Sequence, residues 1–286
     1  AVLILGDTNS CLSIIAAKKR HIPIFHMEAG NRCFDSRVPE EVNRKIIDHT
    51  SDINLAYTEH ARRNLLAEGL PADQIFITGS PMAEIINHHK IGIQQSEVLA
   101  TLKLKKDQYF VASFHREENV DDQSRLHQIV ESLNFIATTF DLPIVLSTHP
   151  RTKKRLLELN IAFHPLVQEM QPFGFFDYVR LQQDSFCTIS DSGTITEECA
   201  IVGFPAITAR DTHERPEGMD SGVLVMTGIG STSMLDGITI ARKHFESQQS
   251  RNIPLGYTDL DVSWRVAKLI QSYTGYINRK TWHEYK

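Results

Sequence analysis

Ala1-Val2-Leu3-Ile4-Leu5-Gly6-Asp7-Thr8-Asn9-Ser10 opens the chain and decides how the rest is read. Five apolar residues run without a polar break, and small and polar residues follow at once. A short apolar run closed by turn residues predicts a parallel strand buried on both faces. The pattern recurs at 22–27, 53–56, 74–78, 109–114, 143–147, 185–190 and 205–208. Helices are predicted between these runs: through about residue 19, then over 40–49, 58–68, 121–139, 151–158, 173–182 and 192–202. Two more are expected over 259–273 and 276–284. Thr58 is placed to cap the helix it begins, with Gly69 stopping it and Pro71 beyond. Strands alternating with helices define an α/β fold, with parallel sheets joined by right-handed connections.

The 286 residues suffice for two modest domains, each with its own core. Residues 79–106 are less regular, holding Pro81, His88-His89, Gln94-Gln95 and several lysines, and a domain boundary is expected near residue 80. Composition is that of an ordinary globular enzyme, 41% hydrophobic and 23% charged. A net charge of -5 gives no basic footprint for nucleic acid, so an anionic ligand would need a local site. Cys11, Cys33, Cys187 and Cys199 form no CxxC pair and no zinc-spaced cluster. Reduced, partly buried thiols in a cytoplasmic protein are expected, with no metal and no redox cofactor. The longest apolar runs are too short to span a bilayer, and none has a signal-peptide layout. The chain begins in mid-strand at Ala1, from which a preceding N-terminal portion is expected.

In open α/β sheets ligands bind beyond the carboxyl ends of the strands. Each predicted strand end here is polar. Asp7 follows the first; His26, Glu28 and Arg32 the second; Glu40, Glu41, Asn43 and Arg44 come after the next loop. His115, Arg116, Glu117 and Glu118 follow the strand at 109–114, and His149 the one at 143–147. Asp191-Ser192-Gly193-Thr194, then Glu197 and Glu198, follow 185–190. Arg210, Asp211, His213, Glu214 and Arg215 come last. Both halves are expected to face one cleft.

Asp191 to Thr194 suits an anion at a helix N-terminus, where small residues let backbone N–H groups approach. An ordinary N-cap explains the same residues. Glu198 suits ribose hydroxyls, or is a solvated helix glutamate. Asp7, Glu28 and Glu40 are carboxylates at successive strand ends, suited to removing and returning a proton at carbon. Ion pairing with Arg32, Arg37 or Arg44 is the plainer role for any one of them. His115 suits a pyrophosphate oxygen or an acid, and His149 before Pro150 suits either ligand or loop packing. GxSxG, P-loop and GxGxxG motifs are absent, which argues against a serine hydrolase, an NTPase and a conventionally bound nicotinamide.

Taken together, the motifs resemble the non-hydrolysing UDP-N-acetylglucosamine 2-epimerase family. The matching blocks are Gly6-Asp7-Thr8, His26-Met27-Glu28-Ala29-Gly30-Asn31-Arg32, Pro39-Glu40-Glu41-Val42-Asn43-Arg44, Phe76-Ile77-Thr78-Gly79, His115-Arg116-Glu117, Asp191-Ser192-Gly193 with Glu197-Glu198, and Glu214-Arg215-Pro216-Glu217. They fall in family order over nearly the whole chain.

The resemblance implies two Rossmann-like domains in a GT-B arrangement, the N-terminal one incomplete at its start. Domains of 1–80 with a returning C-terminal helix (274–286), and 81–273, are expected. It implies elimination of UDP to a glycal and re-addition, with Asp7, Glu28, Glu40 and His115 as catalytic residues. Arg32, Arg116, His149, Ser192, Gly193, Glu198 and Arg215 are expected to bind a UDP-sugar substrate. A homodimer without nucleic-acid or membrane partners is expected.

Two departures, Ser113-Phe114-His115-Arg116-Glu117-Glu118-Asn119 and His213-Glu214, resemble one branch of the family. That branch converts UDP-2-acetamido-2,6-dideoxy-L-talose to UDP-N-acetyl-L-fucosamine for capsule or O-antigen. A UDP-GlcNAc/UDP-ManNAc 2-epimerase, a hydrolysing 2-epimerase, a GT-B glycosyltransferase and a non-catalytic nucleotide-sugar binding module are the alternatives.

Overall fold

The computed structural model describes residues 1–159, 161–247 and 252–283. The chain forms two compact units. The first comprises Ala1–Ile85, Thr212–Glu217 and Pro254–Lys286; the second comprises Ile86–Asp211 and Gly218–Ile253. The expected extents differ from this at 81–85, at 212–217 and at 254–273. Thr212–Glu217 and the segment from Pro254 to residue 273 pack with the first unit, because their side chains find partners there.

The first unit holds a four-stranded parallel sheet of β1 (Val2–Leu5), β2 (Ile24–Met27), β3 (Ile53–Ala56) and β4 (Ile75–Ile77), in that spatial order. β2 and β3 are buried along their whole length, as continuous apolar runs require. β1 is not. It stands at the edge of this sheet, with Leu3 and Leu5 exposed. The helix Pro39–Thr50 starts with proline at its first turn and carries Glu40 and Glu41 there, where the helix dipole favours acidic groups.

One helix, Val262–Trp282, stands where two were expected. Its apolar positions Val262, Val266, Leu269, Ile270, Tyr273 and Ile277 keep helical spacing straight through Gly275 and pack on Phe25, Ile53 and Leu55. That burial outweighs the cost of about 1 kcal/mol for glycine inside a helix. The expected end at Glu284 lies outside the described residues.

The second unit holds a six-stranded parallel sheet. Its strands are β5 (Phe110–Phe114), β6 (Ile144–Thr148), β7 (Val167–Met170), β8 (Cys187–Ser190), β9 (Ala206–Thr208) and β10 (Val225–Met226). Their spatial order is β10-β9-β8-β5-β6-β7. Residues of β5 alternate between two cores. Phe110, Ala112 and Phe114 face Ile129, Leu133 and Ile136 of the helix Gln123–Phe140, while Val111 packs with Tyr109, Val145 and Leu181. The chain leaves β5 toward β6 and β7, then returns to the other side of β5 to lay down β8. The strand order therefore reverses between β5 and β8, which opens a crevice beyond their carboxyl ends.

Residues 79–106, irregular in sequence, form three short helices, Met82–His88, Lys90–Gln94 and Val98–Thr101. β7, β10 and the helix Ser231–Ser247 are further elements that the apolar runs did not reveal. All four cysteines are buried free thiols. Among the described residues no helix is long and apolar enough to cross a membrane.

Candidate active site

In the first unit the chain turns sharply after β1 and β2. Gly6 and Gly30 have positive φ, and so does Glu28, at φ 67°. A non-glycine residue in the left-handed region stores strain that the surroundings must hold, a feature concentrated at functional sites. Gly30 is obligatory, since a Cβ there would lie 2.2 Å from the carbonyl oxygen of Ala61.

This turn sets Glu28 beside Arg215, whose Nη2 donates to Oε1 at 2.7 Å, while Asn31 Nδ2 donates to the same oxygen at 3.2 Å. Arg215 Nη1 donates to Glu214 Oε1 at 3.0 Å. Arg44 Nε donates to Asp7 Oδ2 at 2.8 Å, and its Nη1 to Glu41 Oε2 at 3.0 Å. Burial disfavours the Arg44 charge, but Glu214 and Asp7, with smaller contributions from Cys33 and Glu41, raise its pKa above the ordinary value. Asp7 and Glu28 thus belong to one row of carboxylates interleaved with two guanidinium groups. The opposite charges let like charges stand close together. Asn43 Nδ2 fixes the Asp7 loop by donating to the Asp7 carbonyl at 2.9 Å.

Glu40 sits half-buried in the first turn of Pro39–Thr50. Its neighbour Glu41 is the one that binds Arg44, and Glu41 also accepts the backbone N–H of Cys33 at 3.0 Å.

Arg32, expected to contact substrate, is buried and paired with two carboxylates. Nε and Nη2 donate to the two oxygens of Glu68, both at 2.7 Å, and Nη1 lies 2.7 Å from Asp48 Oδ2 and donates to the Asn31 carbonyl at 2.8 Å. Burial works against this charge, yet Glu68 and Asp48 raise its pKa. In return, the hydrogen bonds from Arg32 hold the Glu68 carboxyl at about 2.

Asp48, 0% exposed, is the hub of this network. It accepts the Gly30 N–H at 3.2 Å, pairs with Arg32, and lies 2.7 Å from Nδ1 of His26. Nε2 of His26 donates to the Gly6 carbonyl at 3.0 Å. One buried carboxylate therefore ties together the two turns that carry Asp7 and Glu28. Glu41, Arg44 and Asp48 are spaced i, i+3, i+7 on one helix, and that face of charges was the available sequence signal for a buried network.

In the second unit the corresponding hub is Asp191, also 0% exposed. It accepts the backbone N–H groups of His115 and Arg116 and the side-chain amide of Asn119, each at 3.1 Å. Nδ1 of His115 lies 3.2 Å from its Oδ1. The loop after β5 is thus fastened to the end of β8, at the point where strand order reverses.

A cavity of about 220 Å³ opens there, lined by His115, Ser192, Thr194 and Glu198 together with Ser113, Ser147, Phe173, Phe175 and Tyr178. Burial, with Glu198 nearby, raises the Tyr178 pKa, so its phenol stays neutral. The expected helix at 192–202 begins later, at Ile195, and passes at Cys199 into a π-helical turn ending at Gly203. Ser192 and Gly193 are therefore half-buried loop residues, with the Ser192 hydroxyl 2.9 Å from that of Thr194. A second cavity, about 100 Å³, lies against Val223, Leu224 and Ile240 and is mostly aliphatic, so it offers less chemistry.

His149 caps the helix Pro150–Glu158, its Nδ1 accepting the Arg151 N–H at 3.2 Å. The side chain of Arg116 is half-buried beside the Asp191 loop. Asp48, Gln182 and the aromatic lining of the cavity went unmarked in sequence, because most of them sit on helices rather than just beyond strands.

Comparison with known proteins identifies the family. The family model described as UDP-N-acetylglucosamine 2-epimerase matches residues 1–271. A UDP-N-acetylglucosamine 2-epimerase from Methanocaldococcus jannaschii is 37% identical over 247 residues, covering 84% of this chain and 68% of that protein. A UDP-2,3-diacetamido-2,3-dideoxy-D-glucuronate 2-epimerase from Pseudomonas aeruginosa is 36% identical over 228 residues, covering 79% of this chain and 63% of the relative. The solved structure of UDP-N-acetylglucosamine 2-epimerase from Rickettsia bellii has TM-score 0.87 at 47% identity, over 99% of this chain and 76% of that one. The M. jannaschii enzyme in complex with UDP-GlcNAc and UDP has TM-score 0.88 at 32% identity, over 95% of this chain and 75% of that one. With the paired carboxylates of the first unit and the polar cavity of the second, these matches make this α/β chain a member of the UDP-N-acetylglucosamine 2-epimerase family of isomerases.

Proposed function

We propose that the chain inverts C2 of a UDP-linked 2-acetamido sugar by elimination and re-addition of UDP. The observation that carries this reading is the carboxylate row Asp7–Arg44–Glu41 and Glu28–Arg215–Glu214 in the first unit. A glycosyltransferase needs a nucleotide site but no such row for proton traffic at carbon. A carboxylate of the row takes the C2 proton. The C1–O bond breaks, its electron pair leaves with UDP, and a C1=C2 bond forms in the glycal. UDP then adds back to C1 while a proton is delivered to the opposite face of C2.

In the second unit Ser192, Gly193 and His115 hold the diphosphate, and Glu198 accepts from ribose hydroxyls. The aromatic wall of Phe173, Phe175 and Tyr178 receives the uracil ring. Asp7, Glu28 and Glu40 are the proton-handling candidates, and Arg116, His149 and Arg215 accompany them at the substrate. Arg32 leaves the substrate set on the geometry above.

The sequence variants around His115 and His213 favour UDP-2-acetamido-2,6-dideoxy-L-talose as substrate. The product then feeds capsule or O-antigen synthesis in the cytoplasm, with the enzyme acting as a homodimer. Incubation with this sugar and with UDP-GlcNAc in deuterated water tests the reading. Deuterium is expected at C2 of the preferred sugar, and Asp7→Asn is expected to abolish its entry while UDP still binds. Exchange at the parental rate in Asp7→Asn removes Asp7 from the chemistry. Release of free sugar and UDP marks the hydrolysing reaction instead.

A further inference from the structure

Gln182 is the penultimate residue of the helix Phe175–Gln183 and is fully buried. Its Nε2 donates to Glu198 Oε2 at 2.6 Å, and Thr194 Oγ1 donates to the other oxygen, Oε1, at 2.8 Å. Glu198 is thus gripped on both oxygens and cannot swing between rotamers without breaking a hydrogen bond. The amide cannot be reversed either, since Oε1 of Gln182 would then face a carboxylate oxygen.

This orientation carries a penalty. Oε1 of Gln182 is buried and finds no partner among the described residues. An unmet buried acceptor destabilises a fold, and an unbranched apolar side chain of similar length would fill the same space without it. A buried amide kept at such a cost points to a task other than folding, and the group it serves is Glu198, which lines the cavity.

We infer that Gln182 is a positioning residue that holds the Glu198 carboxylate in the one orientation able to receive ribose hydroxyls, and so makes the site select ribonucleotides over 2′-deoxyribonucleotides. The inference rests on the nucleotide-sugar reading above and deepens it. A vicinal diol donates two hydrogen bonds to a carboxylate whose remaining lone pairs are correctly aimed. A 2′-deoxyribose donates one, and leaves the other oxygen of the carboxylate unmatched.

The test is calorimetric titration of the whole chain with UDP and with 2′-deoxy-UDP, which needs no turnover. The parent is expected to prefer UDP by about tenfold, as for one hydrogen bond to a charged group. Gln182→Met is expected to weaken UDP by about tenfold, to leave 2′-deoxy-UDP within twofold, and to keep or raise the melting temperature. Gln182→Glu sets a second carboxylate against Glu198 and is expected to remove the preference as well. A Gln182→Met protein that keeps the parental preference overturns the inference. So does one that loses both nucleotides equally with a lowered melting temperature, since that marks a packing role. A parent that binds neither nucleotide overturns the nucleotide-sugar reading, and this inference falls with it. A parent that binds both equally overturns the inference alone.

Discussion

Asp48, on a helix, and Asp191, just beyond a strand, play comparable parts in the two units, and their partners differ in kind. Both are wholly buried carboxylates that fasten loops beyond parallel strands. Asp48 is held by the Arg32 guanidinium, the His26 ring and one backbone N–H. Asp191 is held by two backbone N–H groups and an asparagine amide, with the partly exposed His115 ring 3.2 Å from its Oδ1.

The difference follows from what each loop carries. The first unit assembles Asp7, Glu28, Glu41 and Glu214 near one another, so its buried scaffold is rich in cations. The second presents a cavity of hydroxyl, imidazole and aromatic groups, and neutral dipoles suffice to shape it. A buried ion pair adds little net stability, yet removing one partner strands the other charge.

Asparagine substitution at each hub tests this contrast directly. Asp48→Asn is expected to destabilise the chain by about 3–5 kcal/mol, because Arg32 loses a buried counter-charge. Asp191→Asn is expected to cost about 1–3 kcal/mol, because an amide oxygen still accepts from the loop N–H groups. Urea denaturation of both variants measures the two costs, and equal losses would erase the distinction between a charged and a neutral scaffold.

The smallest effect is expected in the pH dependence of the first unit. Glu68 sits at about 2 in the folded chain against an ordinary 4.5, held down by the hydrogen bonds from Arg32. Its contribution is therefore fully present above about 4.5 and is lost as pH falls through about 2. Glu68→Gln should flatten the loss of stability across that window. A parental acid limb in Glu68→Gln would separate Glu68 from the charged scaffold.

Much of the fold was legible because buried parallel strands are continuous apolar runs. β2, β3, β5, β6 and β8 announce themselves in this way. β7 does not, since its Gln168 and Glu169 break the run, and β10 has two residues only. The rule that ligands lie beyond strand ends likewise marked Asp7, Glu28, His115, Ser192 and Glu198. It passed over Asp48 and Gln182, which reach the same loops from helices, 18 residues along the chain from Gly30 and 16 from Glu198.

The sequence by itself determined the parallel α/β plan and the polar strand ends, because hydrophobic periodicity and turn chemistry act over a few neighbouring residues. Tertiary structure decided what each charged side chain does. Arg32 and Arg215 look alike in sequence, yet Arg32 is enclosed by Glu68 and Asp48, and Arg215 is drawn to Glu28 from 187 residues away. Whether a guanidinium serves the scaffold or the site depends on which carboxylates the fold brings within 3 Å and on how much water it leaves beside them.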